Sequence, residues 1–144
     1  MSFTSVLASG LILSAILARF GFPAVSLEGR AVWVLKTSPI NWRRYLWQKY
    51  VYLAIPTISI GIILVLFSLK ILDAPFPLII KCLLAETAIA LSCTGLAVGI
   101  GARKPKYELT DAAMVAVSAS GLIYMIFAVT AIVSIVGLVV LPDI

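Results

Sequence analysis

The sequence predicts an all-α, polytopic integral membrane protein with four transmembrane helices and a basic interfacial helical segment between the first two. Three observations carry that prediction. The chain is 62% hydrophobic with a mean hydropathy of +1.16, too apolar for an ordinary soluble domain. Its charges are few, 11 Lys/Arg and 6 Asp/Glu, and they cluster between apolar runs. The runs themselves reach the roughly 20 residues that a helix needs to cross a bilayer. A helix also satisfies its own backbone where lipid offers no partner.

The four spans are expected to form one transmembrane domain over residues 1–144. The first covers about 3–24; Arg19 interrupts it, and Gly21 and Pro23 bend or end it. It has no basic lead and runs on into further spans, so it reads as a span and not as a secretory signal. The second, about 50–69, contains Pro56. The third covers about 76–101. The fourth, about 112–141, exceeds the length a span needs; it tilts, or its first turns lie outside the hydrocarbon.

Loop charges predict the orientation. Arg30, Lys36, Arg43, Arg44 and Lys49 lie between the first two spans, and Arg103, Lys104 and Lys106 between the third and fourth. The connection between the second and third holds Lys70 and Asp73, with Lys81 just inside the next span, and Asp143 is the charge of the last four residues. Lys and Arg favour the cytoplasmic side. Both basic loops are therefore expected inside and both termini outside, an arrangement natural for the end of a longer protein.

The basic segment, about 27–49, reads as two short helices on the membrane surface. Ser26 caps the first, with Glu28 in its first turn. Ser38 caps the second, with Pro39 at its first helical position. Trp42, Tyr45, Leu46 and Lys49 then share one face, and Arg43, Trp47 and Tyr50 another. Trp and Tyr prefer the interface, and Arg and Lys reach lipid phosphate, so an interfacial anchor is one reading. A docking helix for a cytoplasmic subunit is the other.

A net charge of +5 and a pI near 9.5 would suggest nucleic acid in a soluble protein. Here the cations sit in loops between spans, and no nucleic-acid partner is expected. The chain has no His, no dinucleotide glycine fingerprint and no Walker A loop. Cys82 and Cys93 would lie about 16 Å apart along one helix, too far to bridge. They read as packing groups, and no metal is expected.

Within the third span, Lys81 and Glu86 are the ionisable residues. A charge at mid-membrane costs roughly 2.5–3.5 kcal/mol on insertion scales. Lys81 lies near the end and snorkels. Glu86 lies deeper; it lines a substrate path, relays a proton, pairs with Lys81, or bonds as a neutral acid to a Ser or Thr of a neighbouring helix. Gly95 and Gly99 form a GxxxG step, with Ala97 and Gly101 on the adjacent ridge. Ala116 and Ser120, followed by Gly121, continue a small-residue stripe in the fourth span. These faces are expected to pack together or to meet another subunit.

The run FPAVSLEGRAVWVLKTSPINWRRYLWQKY at 22–50 resembles a segment of bacterial ABC exporter permeases of the type-2 class. Phe22-Pro23, 26–30, Trp33, Lys36, Ser38-Pro39 and Lys49 carry the likeness. GIGARKPKY at 99–107 is similar to a Gly-x-Gly-Ala…Pro-x-Phe turn of that group, and SASGLIYM at 118–125 to its Ser-x-Gly-Gly-Leu-x-x-Met stretch. Two features depart from the pattern. The chain matches only the C-terminal part of such permeases, and ELTD at 108–111 replaces their acidic-Asn-Pro turn.

The resemblance implies a permease-type subunit in a bacterial plasma membrane, paired with other permease chains or a second copy. Its coupling segment would dock on a separate cytoplasmic ATPase, with Glu28, Arg30, Ser38, Pro39 and Lys49 in that segment. Arg43 and Arg44 would be its polar contacts, and Trp42 or Trp47 its packed anchor. The chain itself would be no enzyme and hold no cofactor; ATP would belong to the partner, and lipid would surround the spans. Two other readings are a small accessory subunit of a larger membrane complex and a small proton-coupled transporter using Glu86.

Overall fold

In a computed structural model, residues 2–24, 37, 39, 41–103 and 118–140 are described. Among these residues four helices are long and apolar enough to cross a membrane, and there is no strand. Helix α1 spans Ser2–Ile16. It widens into a π turn over Leu17–Gly21, where the Phe22 N–H bonds the Leu17 carbonyl, and tightens into a 3-10 turn over Phe22–Ala24. Pro23 has no N–H to continue the ladder, which accounts for the change of winding.

Helix α2 is Trp42–Ile71, 30 residues with Pro56 inside. Its start corrects the expected one. The cap is Asn41, whose Oδ1 accepts the Arg43 N–H at 3.2 Å, and Pro39 lies outside the helix. Residues 42–49 are thus the first turns of α2, not a separate surface helix. The physical reason is continuity: nothing after Asn41 breaks the helix before the membrane, and Pro56 sits deep enough to be tolerated there.

Helix α3 is Phe76–Arg103. It follows α2 after a short turn in which Asp73 takes φ 47°, a left-handed conformation that Asp tolerates. The Pro75 carbonyl accepts the N–H groups of Leu78 and Ile79, and Pro77 falls in the first turn, where no N–H is needed. Helix α4 is Ala119–Val140, with the Ser118 carbonyl accepting from Leu122. The stretch 112–117, expected as the start of this span, lies outside the described residues.

Successive helices run antiparallel. The pairs Ser9–Glu86 and Phe22–Gly101 set α1 alongside α3 in the same direction. Both α1 and α3 pack against all the other helices, with α2 and α4 on their flanks. The core they enclose includes Leu13, Leu17, Val65, Leu69, Ile89, Tyr124 and Ile132. Phe22 stacks on Tyr124 at 5.8 Å, and the Tyr124 hydroxyl donates to the Ser14 carbonyl at 3.3 Å. Ile55, Ile63, Phe67, Leu84, Ile126 and Leu138 point outward, an apolar surface suited to lipid.

The two small-residue ridges of α3 differ in their surroundings. Ala97 and Gly101 are buried, and a Cβ on Gly101 would stand 2.6 Å from the Phe22 carbonyl oxygen. Gly95 and Gly99 are exposed; a Cβ on Gly95 would meet Tyr50 alone, at 3.7 Å, and one on Gly99 nothing within 4 Å. Within the described residues the ridge next to the GxxxG step makes the helix contact. The two ridges differ by a rotation of two residues, which puts one toward the first helix and the other away from it.

Candidate functional site

Two places hold the polar residues singled out by the sequence, and they lie toward opposite ends of the bundle. At the first, the opening turns of α2 carry Trp42 stacked on Tyr45 at 5.2 Å and Trp47 stacked on Tyr50 at 5.5 Å. Lys49 Nζ lies 5.7 Å from the centre of the Tyr45 ring, within cation–π range. Aromatic residues at spacing i, i+3 meet on one side of a helix, which is why both pairs form. The Tyr50 hydroxyl donates to the Leu91 carbonyl of α3 at 3.4 Å and ties this end of α2 to its neighbour.

Arg43, Arg44, Trp42 and Trp47 are all exposed. Between them and α3 runs a groove of about 590 Å³, with Arg43, Arg44, Trp47 and Tyr50 on one wall and Gly95, Val98 and Gly99 on the other. The exposed GxxxG step therefore lines an open groove. Its lining is mainly apolar, with the two arginines on one side. Such a surface suits a partner that presents acidic groups around an apolar contact. Pro39 is exposed just before it. Glu28, Arg30 and Ser38 lie outside the described residues, as does Ala116.

At the second place Glu86 is 1% exposed on α3, about 15 Å along the helix from Phe76. Oε2 accepts from the Ser9 hydroxyl of α1 at 2.9 Å, and Oε1 has no hydrogen-bond partner. Gly61 of α2 makes room for the carboxyl group: a Cβ there would stand 3.0 Å from Oε1 and 3.2 Å from Cγ. Lys81 is exposed near the start of α3, more than a turn from Glu86. The polar neighbour of the carboxyl is thus Ser9 rather than Lys81. A separation of five residues on one helix sets Lys81 and Glu86 on different faces.

Ser120 is half-buried with its hydroxyl 3.0 Å from that of Ser118, and Gly121 is buried. Both cysteines are buried and free, and no cluster of metal-ligating side chains occurs among the described residues. Sequence reasoning missed Asn41, Ser9 and Gly61. Asn41 had a signal, an Asn two residues before an Arg at a basic helix start. Ser9 and Gly61 had none beyond being small residues within apolar runs.

Residues 1–144 match a family model described as "Putative ATP-binding cassette". No curated protein and no solved structure matches the chain. The family's description speaks of ATP binding and not of a permease, whereas the described residues contain four membrane-length helices and the sequence has no Gly-x4-Gly-Lys-Ser/Thr loop.

Proposed function

The chain belongs to this ATP-binding-cassette family, and from that premise we propose that it is the transmembrane, permease-type subunit of an ATP-driven exporter, coupled to a separate ATPase. The observation that carries this reading is the continuity of α2. Its exposed, cationic and aromatic first turns are one continuous helix with a membrane span. A partner that moves residues 42–49 acts on the span through an unbroken run of helix, with no loop between them. The chain's own four apolar helices and its lack of a phosphate-cradling loop within these residues support placing nucleotide chemistry in another subunit. In this reading the polypeptide is no enzyme and holds no cofactor, and ATP is bound and hydrolysed by the partner.

Arg43 and Arg44 are the polar contacts and Trp47 the apolar anchor, lining the groove opposite Gly95 and Gly99. The membrane is a bacterial plasma membrane, with the basic end of the bundle toward the cytoplasm.

The test is co-purification from native membranes in mild detergent. The expected result is recovery of a second subunit, identified by its sequence as carrying a Walker A loop, that hydrolyses ATP while the isolated chain does not. Arg43→Glu combined with Arg44→Glu should weaken the association by roughly tenfold or more, since reversal sets like charges against an acidic cleft. A lipid anchor gives another pattern: the same double variant loses affinity for anionic vesicles, and the wild type brings down no ATPase. A stable complex without an ATPase would replace this reading with that of an accessory subunit.

A further inference from the structure

Glu86 has one polar neighbour, and that neighbour borders space open to the outside of the bundle. A groove of about 430 Å³ runs between the first half of α1 and the last third of α2. Thr4, Ser5, Ser9 and Ser68 line it with hydroxyl groups. It lies on the half of the bundle that ends at Asp73, away from the cationic turns of α2. Ser9 is both a wall of this groove and the hydrogen-bond partner of Glu86.

The Ser9 hydroxyl has a single hydrogen and two acceptors, the Val6 carbonyl at 3.0 Å and Glu86 Oε2 at 2.9 Å. Two arrangements fit these distances. With Glu86 ionised, Ser9 donates to Oε2. With Glu86 protonated, Oε2–H donates to Ser9 Oγ while Ser9 donates to the Val6 carbonyl, and every hydrogen has an acceptor. Passing from one arrangement to the other transfers a proton through Ser9 with almost no movement of heavy atoms.

We propose that Glu86 is a proton-exchange site within the membrane, loaded from the hydroxyl-lined groove through Ser9. In the loading step a hydronium ion in the groove gives a proton to Ser9 Oγ. The original Ser9 hydrogen passes to Glu86 Oε2. The hydronium becomes water, the carboxylate becomes a carboxylic acid, and Ser9 remains a neutral hydroxyl turned toward Val6. No oxidant or reductant takes part.

The ligand set around Glu86 suits a proton rather than calcium or magnesium. Calcium takes about six to eight oxygen ligands and magnesium about six. Here one hydroxyl and two carboxyl oxygens converge, and Gly61 packs close on the Oε1 side. A proton needs no further ligand and no further room.

Among the described residues, the elements packed around Glu86 bring no charged side chain into hydrogen-bond contact with it. From α1 it meets Ser9, and α1 has no titratable side chain. Arg19, in the π turn that follows, is exposed. From α2 it meets Gly61; Lys70 and Lys49 lie about nine and twelve residues away along that helix, and Arg43 and Arg44 farther still. On α4 the titratable side chain is Tyr124, buried and bonded to Ser14. On α3 itself Cys82 and Cys93 are buried, and Lys81 and Arg103 are exposed. The carboxyl is therefore the group in this part of the core whose charge changes on loading. The site is independent of any ATPase, and so is its test.

The full chain in lipid nanodiscs is examined by infrared difference spectroscopy on acidification. A carboxylic-acid carbonyl band should appear, and Glu86→Gln, which keeps the shape, should remove it. Ser9→Ala should keep the band but shift its frequency, because Oε2–H loses its acceptor, and a pH jump should load the site roughly 100-fold more slowly. Ser9→Thr, which keeps the hydroxyl, should load near the wild-type rate. If Glu86→Gln does not fold, the Ser9→Ala shift assigns the band, since Glu86 is the carboxyl that Ser9 bonds among the described residues. A spectrum with no Glu86- or Ser9-dependent carbonyl change over the accessible pH range overturns the proton site. Loading of Ser9→Ala at the wild-type rate overturns the Ser9 route.

Discussion

Three glycines on two helices differ in what surrounds them, and that difference makes a graded prediction. A Cβ at Gly101 would stand 2.6 Å from the Phe22 carbonyl oxygen, a backbone atom that moves only with its whole turn. At Gly61 it would meet Leu13 Cδ1 at 2.9 Å and Glu86 Oε1 at 3.0 Å, both ends of side chains that can turn aside. At Gly99 it would meet nothing within 4 Å. Overpacking of this kind costs about 1–3 kcal/mol. Thermal unfolding in detergent should therefore rank Gly101→Ala as most destabilising, Gly61→Ala as intermediate, and Gly99→Ala as neutral or slightly stabilising through better helix propensity. A chain in which Gly99→Ala cost as much as Gly101→Ala would show that the GxxxG ridge packs after all. Such a loss appearing only in the assembled complex would place a partner helix in the groove.

On the scale of a helix, the start of α2 decides whether its first turns are rigid. Asn41 closes the ladder by accepting the Arg43 N–H. An Asn-to-Ala change at a helix start costs about 0.5–2 kcal/mol, a loss confined to the first turn. Asn41→Ala should speed amide hydrogen exchange at 43–45 and leave that of 57–69 unchanged. If residues 42–49 transmit motion, the same variant should also lower ATPase capture without altering insertion. Equal exchange in both proteins would mean that another group holds this turn. The helix start expected from sequence is Ser38, because Pro39 is well suited to a first helical position; the cap in use is Asn41, three residues on. The apolar runs themselves were legible, since a span's length is written in composition. The partner of Glu86 was not. Ser9 lies 77 residues away on another helix, and no local periodicity encodes which rotation of α1 faces α3. The same ambiguity separates the 95/99 ridge from the 97/101 ridge, which have identical spacing.

At the scale of the molecule, the two proposals differ in how they depend on which end of the bundle faces which side. Arg43, Arg44 and Arg103 gather at one end, with Arg19 and Lys49 nearby, and Lys70, Asp73 and Lys81 at the other. Lys and Arg bias a short loop toward the cytoplasm, so the groove at Trp47 should open inward and the hydroxyl-lined groove at Ser9 outward. That assignment gives each its partner: an ATPase below for the first, and external water for the second. Membrane-impermeant thiol reagents applied to intact cells should modify Asp73→Cys and spare Arg43→Cys, with Arg43→Cys reacting once the membrane is opened. The native Cys82 and Cys93 are buried and contribute little background. Labelling of Arg43→Cys from outside would reverse the bundle. It would put the cationic turns of α2 beyond the reach of any cytoplasmic ATPase, whereas the proton site would survive with its loading side exchanged. A single topology measurement thus separates the two proposals, because one requires a particular side of the membrane and the other requires only water at the mouth of its groove.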